Sequence, residues 1–418
     1  MQVHMLSRRP RAGVRARALI GLGSAAALAV SGLAATATSA QAAPPLVPPH
    51  VFAPYFEAWT GQSAYTISQQ SGAKYLTMAF LQTPSAGSCT AYWNGSTSQP
   101  VSSSIFGSDI SSIQAAGGTI IPSFGGYTAD TTGTDIADSC TSVSSIAQAY
   151  ESLVTTYNVT RIDLDVEQNS LTNSAGITRR NQAIAQVESW AASTGRTVQF
   201  SYTMPTNTNG LSSSGVAVLQ NAIANNAVIS VVNIMTFDYY LGTQQEMATD
   251  TETAAQGLYN QLASLYPSKT SSQLWAMIGV TDMMGIDDYG AAETFTTADA
   301  PTVESWAASN GLGELSYWAV QRDNGGCPGT GGSSSCSGVS QATWYFDQQF
   351  EPFTSGAPAP GEAPFGGTPA AVPGTVQAAN YDTGGQGVAY NVSSVNGSAD
   401  SYRSDGVDLE ATTDSQDT

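Results

Sequence analysis

The sequence predicts an α/β fold: a (β/α)8 or TIM barrel, followed by a linker and the start of an incomplete all-β module. Three observations carry this. Between His50 and Phe353, eight short apolar segments alternate with stretches whose apolar residues recur at three- and four-residue spacing. That rhythm, sustained over roughly 300 residues, is the pattern of eight parallel strands with interleaved helices. The third observation is what the segment ends carry. Acids and aromatics collect there, at the end of a barrel where function sits. A doubly wound open sheet would need fewer strands and usually a glycine-rich phosphate turn, which the sequence lacks.

The elements follow in order. Segment one, Val51–Glu57, ends in Pro54-Tyr55-Phe56-Glu57. Segment two is Lys74–Leu81, and segment three, Gly118–Gly126, ends in Ser123-Phe124-Gly125-Gly126. Segment four, Thr160–Glu167, alternates: Ile162, Leu164 and Val166 on one face, Asp163, Asp165 and Glu167 on the other. Same-face acids on a strand lie about 6.6 Å apart at the backbone. Three carboxyls so close cannot all ionise cheaply, so at least one should hold a proton. A protonated carboxyl beside an ionised one is the working pair of a glycosidase. Segment five is Thr197–Met204. Segment six, Val231–Asp238, runs through Met235 into Asp238-Tyr239-Tyr240. Segment seven is Leu274–Thr281, and segment eight, Glu314–Val320, carries Tyr317-Trp318. Helical periodicity marks Val143–Tyr157, Ile177–Ser193, Gly215–Asn226, Thr251–Tyr266 and Thr297–Asn310, with stops at Gly117-Gly118, Gly195 and Gly311. Carboxyls at a floor, ringed by flat aromatic faces, suit a sugar substrate.

Charge and cysteines narrow the function. Residues 1–42 read as a secretory signal, with Arg8, Arg9, Arg11, Arg15 and Arg17 ahead of a small apolar run and Ala40-Gln41-Ala42 as a cleavage site. A secreted, extracellular protein is expected. Removal of the signal takes five of 13 basic residues and none of 32 acids, leaving 8 − 32 = −24. Such a chain repels nucleic acid and anionic membrane and leaves a neutral polymer unopposed. Four cysteines, Cys89, Cys140, Cys327 and Cys336, make an even count and suggest two disulfides. Their spacing fits no zinc site, and the two histidines, His4 and His50, lie in the signal and the N-terminal lead. No metal and no cofactor are expected.

On these residues the stretch from Val51 to Phe353 resembles the glycoside hydrolase family 18 chitinases, most closely a group of secreted actinobacterial-type enzymes. Ser123-x-Gly125-Gly126 is similar to the family's SxGG on the third strand. Asp163-x-Asp165-x-Glu167 is similar to the end of its DxxDxDxE on the fourth. Met235-x-Phe237-Asp238-Tyr239 is similar to its sixth-strand motif, and Trp318 with Gln321-Arg322-Asp323 to its final segment. Thr160 and Arg161 depart from the opening of DxxDxDxE, and Phe237 stands where many members have a tyrosine.

The resemblance implies a substrate-assisted mechanism on chitin or another N-acetylglucosamine oligosaccharide. Glu167 is the acid. Asp165 holds the acetamido N–H, and Asp163 shares a proton with Asp165. Asp238 and Tyr239, with Met235, hold the sugar above Trp318, and Tyr55 and Ser123 are further candidates for substrate binding. A glycoprotein-directed endo-β-N-acetylglucosaminidase and a non-catalytic lectin on the same fold are the competing functions. Glu167 argues against the lectin. In this layout Cys89 and Cys140 fall on neighbouring rim loops, and Cys327 and Cys336 bracket a loop after the eighth strand, so each bridge would restrain the rim. A monomer is expected.

After Phe353, residues 354–374 read as a Pro-, Gly- and Ala-rich linker. Residues 375–418 resemble the start of a family 6-type carbohydrate-binding module, through Val376–Asp382 and Tyr402–Glu410. Forty-four residues are too few for such a sandwich to bury a core. Gln377 and Ala379 replace that family's calcium-binding glutamates.

Overall fold

Pro54 divides the first apolar segment into two short strands, β1 (Val51–Phe52) and β2 (Tyr55–Glu57). Proline offers no N–H to a sheet ladder, and the chain changes neighbours there. Parallel strands follow at β3 (Tyr75–Gln82), β4 (Thr119–Gly125), β5 (Arg161–Asp165), β6 (Gln199–Asn207), β7 (Val231–Met235), β8 (Ile278–Met283) and β9 (Glu314–Trp318). The structure is a computed structural model that describes residues 45–355, with 364–365, 368, 370–371, 374 and 377–380 beyond them. Around the sheet the order is β1-β9-β8-β7-β6-β5-β4-β3-β2. Val51 sits beside Glu314, and Tyr55 beside Thr77. One bent segment therefore occupies both edges and closes the barrel through Ala53-Pro54.

The helices are α1 (Ala64–Ser71), α2 (Gly107–Ala115), α3 (Tyr127–Thr132), α4 (Ile136–Ser139), α5 (Val143–Tyr157), α6 (Ser174–Thr194), α7 (Ser213–Ala224), α8 (Met247–Leu265), α9 (Ser271–Trp275), α10 (Asp299–Asn310) and α11 (Tyr345–Ser355). α5 occupies the expected residues. Its start is capped by the Ser142 hydroxyl, which accepts the Ser145 amide. Among the described residues no helix is long and apolar enough to cross a membrane.

The alternation on β5 has the direction the sequence implies. Ile162, Leu164 and Val166 join the main core, with Phe200, Tyr202 and Met204 of β6 and the helix faces outside the barrel. The inward positions are smaller and polar. A bottom plug of Val47, Val51, Ala53, Tyr75 and Ile121 and a top cluster of Tyr55, Ala79 and Ala319 bracket a middle built from hydroxyls and one amide. At the bottom, Arg161 pairs with Glu314 at 3.1 Å, both buried.

Several boundaries differ from expectation, three of them with a visible cause or consequence. Segment seven starts late: Leu274 and Trp275 end α9, and the strand begins at Ile278. Trp275 stacks on Tyr259 at 4.7 Å, so this apolar run serves helix packing first. Segment four ends at Asp165, and Glu167 instead precedes a 3-10 turn, Gln168–Leu171. α11 runs two residues past Phe353, and the Thr354 hydroxyl accepts the Phe52 amide at 2.8 Å. Both disulfides form, Cys89–Cys140 and Cys327–Cys336, as the loop layout implies. The signal at 1–42 lies outside the described residues, as do most of the linker and of the 375–418 module.

Candidate active site

The site is built on a register match. Ser123, Asp163 and Ser201 lie side by side on β4, β5 and β6. Both serine hydroxyls donate to Asp163 at 2.7 Å, one to each carboxylate oxygen. The Thr203 hydroxyl adds a bond at 2.9 Å, and Tyr55 shares its one proton between Asp163 at 3.1 Å and Thr203 at 2.9 Å. Four hydroxyl donors fill the lone pairs of one carboxylate. Burial pushes Asp163 above the ordinary carboxylate range, and these donors pull it back. We read it as ionised, because a proton on it would have to displace a donor. No hydrogen bond joins Asp163 to Asp165; the Asp165 Oδ1 is buried and has no hydrogen-bond partner among the described residues.

Asp165 stands one step above, and Glu167 at the lip. Burial, then the charges of Glu167 and Asp163, hold Asp165 well above its usual range. Burial also pushes Glu167 up to about 7, helped by Asp238 and opposed by the Tyr127 amide. The pair keeps a proton at neutral pH. Glu167 is placed through its backbone: its N–H donates to Asp130 Oδ2 on α3. Behind Asp130, Asp135 pairs with the fully buried Arg180 at 2.7 Å and caps α4 by accepting the Ala137 amide. The SxGG glycines allow this approach. At Gly125 (φ +99°) a Cβ would lie 2.0 Å from the Asp165 carbonyl oxygen, and at Gly126 (φ +82°) it would strike the Phe80 ring at 2.6 Å.

Opposite stands a second acidic wall. Asp238, half-buried, rises to about 6 through burial and then the charge of Asp288. The oxygens of Asp238, Asp287 and Glu293 come within 4.8 Å of one another. Backbone amides donate to all three: Asp287 accepts the Asp238 and Gly290 amides, Glu293 those of Tyr239 and Leu241, and Asp238 that of Tyr289. The cluster folds the two loops together. Arg322 supports the same loops by donating to the Met284 and Ile286 carbonyls at 2.9 and 3.0 Å.

Between the walls lies a cavity of about 480 Å³, lined by Asp165, Glu167, Met235, Asp238 and Trp318 together with Phe80, Tyr127, Phe237, Tyr240 and Asp288. Its floor is aromatic. Phe80 and Trp318 stack at 5.7 Å, and Trp59 completes a three-ring cluster, 6.3 Å from Phe80 and 6.1 Å from Trp318. A proton donor, a second carboxyl and a flat apolar floor can hold a sugar ring and protonate its leaving oxygen.

The comparisons agree with this geometry. A model of the glycosyl hydrolases family 18 matches residues 51–354. The chain belongs to that family. It is a glycoside hydrolase with a chitinase-like catalytic barrel. It is 31% identical over 320 residues to a probable bifunctional chitinase/lysozyme of Escherichia coli, covering 73% of this chain and 35% of that one. It is 30% identical over 288 residues to endochitinase 11 of Metarhizium anisopliae, covering 66% and 53%. The chain thus spans from about a third to about half of the length of these relatives. Among solved structures, the catalytic domain of a hyperthermophilic chitinase from Pyrococcus furiosus superposes with a TM-score of 0.66 at 27% identity, over 75% of this chain and 97% of that one.

Of the residues expected at the family 18 site, Glu167, Asp165, Asp238, Met235 and Trp318 line the cavity. Tyr55 and Ser123 do not: both are buried, and their hydroxyls are spent on Asp163. Tyr239 is displaced too. Asp238 (φ +53°) and Tyr240 (φ +57°) are left-handed, which breaks the two-residue alternation beyond β7. Phe237 and Tyr240 face the cavity, while the Tyr239 hydroxyl is buried beside Asp282. Sequence reasoning missed Asp130, Phe80, Tyr127 and Asp288. An acid in the charge-poor turn after Ser123–Gly126 was the available signal for Asp130.

Proposed function

We propose that this domain is a secreted, monomeric chitinase that hydrolyses β-1,4 bonds between N-acetylglucosamine units, with net retention and with the substrate's own acetamido group as nucleophile. The observation that carries the reading is Glu167, raised to about 7, in one cavity with a buried Asp165 and an aromatic floor; the two carboxyls keep one proton between them, so Asp165 is an anion when Glu167 holds it. The sugar to be cleaved sits on Trp318. Glu167 gives its proton to the glycosidic oxygen while the acetamido oxygen attacks the anomeric carbon. The leaving sugar departs, and an oxazolinium ion remains. Asp165 accepts the acetamido N–H and balances the charge. Water, deprotonated by Glu167, then opens the ring.

Asp238 and Asp288 face this pair, so stereochemistry is the test. Proton NMR of fresh product from a chitin oligomer, read before mutarotation, should show the β-anomer first. A fully deacetylated chitosan should not be cut, because its nucleophile is missing. An α first product would make Asp238 or Asp288 a base that activates water and would overturn the mechanism. Glu167→Gln should lower turnover by at least roughly 10²-fold and keep oligosaccharide binding. Residual activity within tenfold of the parent would place the acid elsewhere.

A further inference from the structure

A second hollow, of about 530 Å³, opens beside the first between the loop after β2, α1, the disulfide-closed loop 327–336 and the residues leading into α11. Thr60, Gln62, Gln70, Ser334, Thr343 and Trp344 contribute to its walls, and none of its lining residues carries a charge. The four carboxyls around the catalytic cavity have no counterpart here. Gln70, Ser334 and Thr343 are exposed and make no side-chain hydrogen bond within the described residues. Neutral amides and hydroxyls around one indole suit a polymer that is itself neutral, hydroxyl-rich and amide-bearing: they exchange hydrogen bonds without desolvating a charge.

The hollow borders the catalytic floor. Trp59 packs against both floor rings, 6.1 Å from Trp318 and 6.3 Å from Phe80, and is itself 40% exposed. The next residue, Thr60, already lines the hollow. Gln321, three residues after Trp318, forms part of the same wall and is fixed there by two bonds to the Glu57 backbone, at 3.1 and 3.3 Å. We propose that this hollow is a secondary glycan site, which holds the sugar units of a long N-acetylglucosamine polymer that extend past Trp59. The proposal rests on the substrate class given above.

The test uses Glu167→Gln protein, so that the polymer is not consumed. Binding to glycol chitin is measured by retardation in affinity gels, and binding to the N-acetylglucosamine trimer by calorimetry. Thr343→Arg crowds the hollow at an exposed position without touching the core, and Trp344→Ala removes its indole. Each variant should weaken glycol chitin binding about tenfold and leave trimer affinity within about twofold. Because Trp344 also packs against the core, Thr343→Arg decides if Trp344→Ala fails to fold. Unchanged retardation of Thr343→Arg would overturn the secondary site while leaving the catalytic reading intact. A parent protein that binds neither ligand would remove the substrate class, and this site with it.

Discussion

Asp163→Asn tests the heart of the barrel, because the two states of that carboxyl predict opposite results. In the ionised state four hydroxyls donate to it, at 2.7, 2.7, 2.9 and 3.1 Å. A hydrogen bond to a charged acceptor contributes about 1.5–3 kcal/mol. An amide has one oxygen and so keeps at most two of the four donors, a loss of about 3–6 kcal/mol. The two hydroxyls that turn to accept from the new NH2 recover about 1 kcal/mol each, which leaves a net loss of about 1–4 kcal/mol. At about 2 °C per kcal/mol for a barrel of this size, Tm should fall by roughly 2–8 °C. The variant also removes one of the charges that hold a proton on Asp165, so the alkaline limb of kcat/KM should move to lower pH. Calorimetry and a pH–rate profile on a chitin oligomer measure both. A Tm within about 1 °C of the parent, with the limb unmoved, would mean that Asp163 is already neutral, and the reading of its hydrogen bonds would fail.

Other outcomes follow from the same structure. Asp130→Ala leaves the Glu167 N–H without its acceptor and should cut kcat about 10- to 100-fold with little change in KM. Asp130→Asn retains an oxygen there and should recover most of that loss; equal defects in the two would show that the backbone contact is not what matters. Stability should fall as pH rises from 5 to 8. Burial raises Glu57 and Asp282 to about 7, so between their ordinary values and 7 the folded state keeps protons that the unfolded chain has lost. Their contribution is fully present at low pH and disappears as pH passes 7, and a Tm that rises over that interval would contradict it. Truncation after Ser355 should leave activity on soluble oligomers intact. Truncation after Phe353 should lower Tm by roughly 2 °C, because the hydroxyl that accepts the Phe52 amide is gone.

The barrel was legible because its strands obey one rule. Apolar side chains such as Ile162, Leu164 and Val166 face the helices, and their neighbours on β5 face inward. The rule fails where other forces decide. Leu274 and Trp275 look like a strand but pack on Tyr259 and Trp306 from a capped helical turn. Tyr239 was mistaken for a cavity residue because two left-handed residues reverse the alternation around it. Asp163, Asp165 and Glu167 were readable as neighbours on one strand. Asp130, Asp287 and Glu293 were not, since they reach the site from α3 and from a loop far away in sequence and act through backbone amides that no side-chain pattern records.

The divided first strand sets a clock on biosynthesis. Val51 pairs with Glu314, which is 314 − 51 = 263 residues later. At about 5–20 residues per second, roughly 13–53 seconds separate the synthesis of the two partners. Throughout that interval β1 has no neighbour, the growing sheet ends in an unpaired edge, and the polar barrel middle is open to water. A chain interrupted before Glu314 would be left in that state, with a strand edge free to pair with another chain.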